Sequence, residues 1–186
     1  MKAKSPSHAG VRFDTDGTTI PFSEIKLRKI LVPTDFTACS HKALSYALSF
    51  ARLFGAEILL LHVVESVPTI AQDAMLQSSM LNAALHEESK KRLHRWQREA
   101  MADGSVETMT ADGVPWQRIV EVAREKNMDL IVAGTGGRSG LALVLLGSTA
   151  ERVVRHAPCP VLVVREREHE FLASEIAEEE GETALV

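Results

Sequence analysis

The sequence is poor in the residues that build metal centres and disulfide frameworks. Cys39 and Cys159 are the only cysteines among 186 residues, and neither belongs to a Cys-x-x-Cys or Cys/His ligand pattern. His86 and His94 also lack the His-Glu-x-x-His spacing of a zinc-binding helix. We therefore expect no metal site built from these side chains. Both thiols are expected to be structural, because a reducing compartment argues against a disulfide between them.

Long apolar segments and a basic surplus are also missing. No uninterrupted hydrophobic run approaches the ~18 residues that span a bilayer, and the amino-terminal sequence MKAKSPSHAG lacks the apolar core of a secretory signal. The 21 Lys and Arg residues against 25 Asp and Glu residues give a net charge of −4. We expect a cytoplasmic protein with no membrane partner and no nucleic-acid partner.

Two common nucleotide-binding signatures are absent. No glycine is followed by lysine, which excludes a Walker A loop. A Gly-x-Gly-x-x-Gly count that starts at Gly134 reaches Ser139, which excludes the dinucleotide fingerprint. Any nucleotide phosphates would have to be held in another way.

The chain does contain short apolar blocks that alternate with amphipathic stretches. This order is typical of βαβ units, and it predicts an α/β fold with one doubly wound, open parallel sheet and helices on both faces. The predicted strands span residues 29–35, 57–64, 105–111, 128–133 and 160–164. The predicted helices span residues 39–54, 71–101 with a possible break at 77–79, 115–126 and 148–156.

These elements form one predicted domain, residues 27–165. Residues 1–26 are an amino-terminal extension with a possible hairpin turn at Asp16-Gly17. Residues 166–186 are a Glu-rich tail, which is either solvated or a partner-binding helix around residues 170–177.

Candidate binding residues follow the predicted strands, because open parallel sheets bind ligands beyond the carboxyl ends of their strands. Pro33, Thr34 and Asp35 follow the first strand. Asp35 is either a ligand contact or the N-cap of the next helix, for which Thr37 and Ser40 compete. His62, in the second strand, is expected to be a core histidine.

Glycines follow the fourth predicted strand. Gly134 and Gly137 come directly after it, and Gly147 precedes the last helix. Glycines let backbone N–H groups approach an anion, and a helix amino terminus supplies unpaired N–H groups and a favourable dipole. Alternatively, Ser148 and Glu151 have the spacing of a capping box, in which Ser148 only caps the helix. Valine at Gly137 or Gly147 is predicted to abolish phosphate binding and to leave the fold intact.

Gly134-x-x-Gly137, nine further residues and then Gly147-Ser148 resemble the G-2x-G-9x-G-(S/T) motif of nucleotide-binding universal stress proteins. Residues 30–36, ILVPTDF, resemble that family's first strand. Residues 59–63, LLLHV, resemble its second strand, and residues 156–164, HAPCPVLVV, resemble its last segment. The resemblance covers residues 27–165 and implies five parallel strands in the order 3-2-1-4-5, with ATP between strands 1 and 4.

The same resemblance implies roles for individual residues. Residues 33–35 would lie beside the nucleoside, Val63 would contact adenine, and residues 133–134 would flank the ribose and phosphates. The last helix and the motif glycines would hold the phosphates, with Arg138 as a nearby cation and Mg²⁺ bound together with the nucleotide. The implied nucleotide-binding residues are Pro33, Thr34, Asp35, Val63, Ala133, Gly134, Gly137, Arg138, Gly147, Ser148 and Thr149.

Three functions remain open at this point. The leading hypothesis is an ATP-binding (or ADP- or AMP-binding) stress-response module that changes conformation or partner with nucleotide state. The second is a slow Mg²⁺-dependent ATP hydrolase, which the motif loops disfavour because they offer no clear catalytic base. The third is a dimeric interaction protein that binds no nucleotide. In the implied topology the apolar strand of Val161, Leu162, Val163 and Val164 is a sheet edge, which predicts a homodimer through that strand.

Overall fold

The fold is seen in a computed structural model that describes residues 25–65, 75–100, 106–135 and 147–166. Its strands are β1 (Lys29–Pro33), β2 (Glu57–Val64), β3 (Val106–Asp112), β4 (Leu130–Gly134) and β5 (Val161–Val164). Its helices are α1 (Ala38–Phe54), α2 (Met75–Ala100), α3 (Pro115–Glu125) and α4 (Ser148–His156). Strands and helices alternate along the chain, as predicted.

The five strands form one parallel sheet in the order β3-β2-β1-β4-β5. The central strand β1 pairs with β2 from Lys29 opposite Glu57 to Pro33 opposite Leu61. On its other side Ile30 lies opposite Leu130. The strand order therefore reverses at β1, and the connections that follow β1 and β4 diverge to opposite faces of the sheet. Their divergence opens a crevice at the carboxyl ends of β1 and β4.

Helices cover both faces of the sheet, and this explains the nearly continuous apolar strands. Successive strand residues point to opposite faces. Ile30, Val32 and Leu60 therefore pack in the core layer of α1 and α2, whereas Leu31 and Ile131 pack in the layer of α3 and α4. All five of these side chains are fully buried.

The sequence signals at the helix ends also have structural counterparts. Thr37 caps α1 through a hydrogen bond from the Ser40 N–H to its side chain. Gly55 ends α1 in the left-handed region, with φ at 69°, and its N–H donates to Ala51 O at 2.8 Å. Pro115 is the first residue of α3, where its missing N–H removes no intrahelical bond.

The predicted fold is confirmed, and the main differences concern element boundaries. No break interrupts α2 at residues 77–79. β4 begins at Leu130 instead of residue 128 because the Asp129 carboxylate accepts the N–H groups of Arg28 and Lys29, both at 2.9 Å, and ties the approach to β4 to the start of β1. The proposed hairpin and nearly all of the Glu-rich tail lie outside the described residues.

Candidate functional site

A cleft of 510 Å³ lies at the carboxyl end of the sheet, within the roughly 300–1,000 Å³ that ligand pockets occupy. The ends of β1, β2 and β4, the start of α4, and residues of α2 and α3 form its walls. It brings together the predicted residues Pro33, Thr34, Asp35, Val63, Ala133, Gly134, Gly147, Ser148 and Thr149. Gly137 and Arg138 lie outside the described residues.

Thr34 is fixed at the end of β1 by hydrogen bonds to its backbone and its side chain. Its N–H donates to Leu61 O at 2.8 Å, and its carbonyl lies 2.7 Å from His62 Nδ1, which must be the donor because a carbonyl only accepts. Its Oγ1 accepts the Phe36 N–H at 2.9 Å and lies 3.1 Å from Ser40 Oγ. Thr34 thus anchors the turn that follows, and His62 is a buried, hydrogen-bonded histidine as predicted.

Asp35 is half-buried in the wall of the cleft. Its Oδ1 accepts the Thr37 N–H at 3.1 Å and the Thr37 hydroxyl at 2.6 Å. The N-cap of α1 is Thr37, so the alternative that Asp35 caps this helix is wrong. Among the described residues none donates to Asp35 Oδ2, which leaves that oxygen as an acceptor for a ligand.

Both described motif glycines lie against protein backbone. A Cβ atom at Gly134 would lie 2.9 Å from the carbonyl carbon of Cys39 and 3.0 Å from its oxygen, so α1 packs directly on the end of β4. A Cβ at Gly147 would lie 2.7 Å from Thr135 O, which already accepts the Gly147 N–H at 3.1 Å. The expectation that valine at Gly147 leaves the fold intact is therefore wrong, because the backbone would have to shift.

The amino terminus of α4 opens into the cleft. Gly147 is its N-cap residue, and among the described residues no side chain caps the helix, so the capping-box alternative for Ser148 is wrong. The first bonded amide of this turn is that of Glu151, which donates to Gly147 O at 2.9 Å. The N–H groups of Ser148, Thr149 and Ala150 precede it and have no intrahelical acceptor. Since all three residues line the cleft, they present unpaired donors and the positive end of the helix dipole to it.

A sequence model of the universal stress protein family matches residues 26–165. The chain belongs to the universal stress protein family. It is 39% identical over 144 residues to the universal stress protein MJ0531 of Methanocaldococcus jannaschii, an alignment that covers 77% of this chain and 85% of that protein.

Solved universal stress protein structures share the fold. The structure of UspA from Lactobacillus plantarum matches with a TM-score of 0.71 at 28% identity, covering 76% of this chain and 100% of that chain. A universal stress protein in complex with cAMP matches with a TM-score of 0.57 at 26% identity, covering 76% of this chain and 98% of that chain.

Sequence reasoning missed part of the cleft of this universal stress protein. Phe36, from the turn after β1, and Arg92, from α2, both line it. The Arg92 guanidinium carbon lies 4.1 Å from the centroid of the Phe36 ring. No motif marks Arg92, and only the sheet order, which places α2 over β2 and β3, brings it to the cleft. α2 also contributes Leu85, Glu88 and Ser89 to the lining, and α3 contributes Pro115 and Ile119.

The cysteines of this family member lie outside the cleft lining. Cys39 is buried, and its Sγ lies 3.3 Å from Val164 O. Partial burial, helped by the negative charge of Asp129, raises the pKa of the Cys159 thiol. Neither cysteine forms a disulfide. A raised pKa keeps the thiol protonated and makes Cys159 a poor nucleophile at neutral pH.

Within the described ranges, no three His, Cys, Asp or Glu side chains come together as a group that could hold a metal ion. Of the helices in these same ranges, none is long and apolar enough to cross a bilayer.

Proposed function

We propose that this universal stress protein binds an adenine nucleotide, ATP in the first instance, in the cleft between β1 and β4, and acts as a nucleotide-dependent stress-response module. The observation that carries the proposal is that one cleft is lined both by a helix amino terminus with unpaired N–H groups and by a carboxylate oxygen that no described residue engages. The unpaired N–H groups at the start of α4 suit phosphates, and Asp35 Oδ2 suits a sugar hydroxyl or a base amino group.

The proposal also assigns a part of the nucleotide to each of the remaining predicted residues. Val63 lines the cleft near the carboxyl end of β2. In this proposal it offers an apolar surface to the base. Ala133 and Gly134 line the cleft at the end of β4. In this proposal they lie beside the ribose and the phosphates. The proposal also assigns Gly137 and Arg138, which lie outside the described residues, and a Mg²⁺ ion to the phosphates on the ground of the motif alone. The family member solved with cAMP supports an adenine nucleotide as the ligand class.

Nucleotide binding is proposed here instead of ATP turnover. A hydrolase would need a base to activate water near the phosphates. Glu151 is the acidic residue in the first turn of α4, but its carboxylate pairs with Arg155 at 2.8 Å. Asp35 does not fill that role in this proposal, because its open oxygen Oδ2 is assigned to the nucleoside.

The most direct test of occupancy is to denature the protein as purified and identify the small molecules released. We expect ATP, ADP or AMP, or an empty site that takes up added ATP. An empty site that also refuses ATP would support the alternative of an interaction protein without a nucleotide.

An Asp35→Asn variant tests the placement of the nucleoside. The amide oxygen of asparagine can still accept the two Thr37 hydrogen bonds, so the turn should persist. Loss of one charge-assisted hydrogen bond predicts about tenfold weaker ATP binding in calorimetry. Unchanged affinity would remove Asp35 from the site. ATP turnover with Mg²⁺, measured in parallel, is expected to stay negligible in the wild type.

We further propose a homodimer through β5. This strand is an edge of the sheet and pairs only with β4 within the described chain. Val161, Leu162 and Val163 are only partly buried there, which leaves apolar surface and backbone groups available to a second copy.

A further inference from the structure

Phe36, which follows the candidate ligand Asp35, has a backbone conformation that large side chains rarely adopt. Its φ is 65°, in the left-handed region, where a bulky residue is an outlier. Such a conformation costs free energy and persists only when its surroundings determine it. The turn after β1 is therefore held in place by specific contacts.

Those contacts come from Thr34, from strand β2 and from helix α2. The Phe36 N–H donates to Thr34 Oγ1 at 2.9 Å. Its ring packs against His62 of β2, with centroids 4.4 Å apart, and meets Trp96 of α2 edge-on at 5.6 Å. Arg92 of α2 lies over the ring at 4.1 Å. The ring is thus enclosed by side chains of β2 and α2.

Arg92 has an alternative partner that it does not use. Glu88 lies one helical turn before it, at a spacing that commonly gives an ion pair. The guanidinium stacks on Phe36 and, within the described part of the chain, forms no ion pair with Glu88. This contact suits the planar, weakly hydrated guanidinium. An ammonium group can also lie over an aromatic face, but it lacks the planar fork that packs against the ring.

The backbone conformation of Phe36 determines how the Asp35 carboxylate is oriented. Oδ1 of Asp35 is held by the N–H and hydroxyl of Thr37, two residues further on. Phe36 lies between Asp35 and Thr37 in the chain, so its left-handed φ determines the position of the two Thr37 donors relative to Asp35. If Phe36 relaxed to an extended or right-handed conformation, both donors would move away from Oδ1 and the carboxylate would lose its orientation.

We infer that Arg92 is a positioning residue of the nucleotide site: by holding the Phe36 ring it orients Asp35 toward the ribose hydroxyls, and it thereby makes the site selective for ribonucleotides. This inference rests on the proposed nucleotide-binding function. A site built to accept a hydroxyl discriminates strongly against an analogue that lacks it. Sugar discrimination, and not affinity alone, is consequently the property that Arg92 controls.

The test compares ATP with 2′,3′-dideoxy-ATP by calorimetry in the wild type and in Arg92→Ala, Arg92→Lys and Arg95→Ala. Arg95 is the matched control, because it is an exposed arginine on the same helix that does not line the cleft. We expect the wild type to prefer ATP about tenfold or more, as the loss of a hydrogen bond to a charged group predicts. Arg92→Ala should bind ATP about three- to tenfold more weakly and the dideoxy analogue unchanged.

Arg92→Lys should resemble Arg92→Ala, because an ammonium group does not stack as a planar fork, whereas Arg95→Ala should match the wild type. The inference is overturned if Arg92→Ala weakens both nucleotides equally, or if it leaves the preference for ATP unchanged. Arg92→Lys that matched the wild type would also overturn it, since charge alone would then suffice. If no protein, including the wild type, binds ATP, the proposed function itself fails.

Discussion

At the scale of single residues, the two described motif glycines each allow a close approach between backbone segments. Gly134 lets α1 approach the end of β4, and Gly147 lets the chain return against Thr135 O. Both contacts are between atoms of the protein itself. The spacing of these glycines is thus a requirement of the fold as well as of a proposed phosphate site.

Alanine at Gly134 is predicted to destabilise the protein. Its Cβ would lie 2.9 Å from the carbonyl carbon of Cys39, which is backbone and cannot rotate away. Overpacking of this kind costs about 1–3 kcal/mol of unfolding free energy, and urea denaturation would measure it. Gly55→Ala is the control for backbone strain without a clash, because nothing lies within 4 Å of that position. A Gly134→Ala variant with wild-type stability would contradict the packing account.

The sequence predicted the residues of the site better than their contacts. Asp35 and Gly134 were predicted to meet in one cleft because they follow apolar strands, and the ends of parallel strands meet; both line the cleft, and their role in binding stays a prediction. The left-handed Phe36 and its partner Arg92 were missed. Their contact joins residues far apart in the chain, and neither local periodicity nor a motif carries that information.

At the scale of elements, α4 is the part of the cleft that the proposal depends on most. Ser148 is the first residue of this helix, and Gly147 before it has ψ at 148°. Proline is favoured at a first helical position and accepts an extended residue before it. Ser148→Pro therefore removes one cleft-facing N–H group and is expected to keep the helix.

In calorimetry the Ser148→Pro variant should bind ATP about tenfold more weakly than the wild type, as expected for the loss of one hydrogen-bond donor to a charged phosphate. Ser148→Ala is the matched control, because it removes the hydroxyl and keeps the amide, and it should bind more strongly than the proline variant. Equal, wild-type affinities in both variants would mean that this amide does not contact the phosphates.

The elements themselves were largely predictable. Four of the five strands are short apolar blocks because the sheet is covered on both faces. The edge strand β3, VETMTAD, is more polar and more exposed. Boundaries were less predictable where long-range bonds decide them, as Asp129 does at the start of β4. The strand order came from the family resemblance, since periodicity alone does not determine which strands are neighbours.

At the scale of the whole molecule, the β5 edge predicts self-association. Val163→Lys places a charge on this edge and should shift the protein from dimer to monomer in sedimentation velocity, because edge charges oppose strand pairing. Leu53→Lys is the control, since Leu53 is 74% exposed near the end of α1 and is not part of β5. A monomeric wild type at micromolar concentration would reject the dimer.

The central claim is that the cleft between β1 and β4 is a nucleotide site. The measurement that tests it most directly is a calorimetric titration of the folded, nucleotide-free protein with ATP and Mg²⁺. The account predicts saturable binding with one ATP per chain, and weaker binding in Asp35→Asn. Absence of binding by a protein shown to be folded would contradict it.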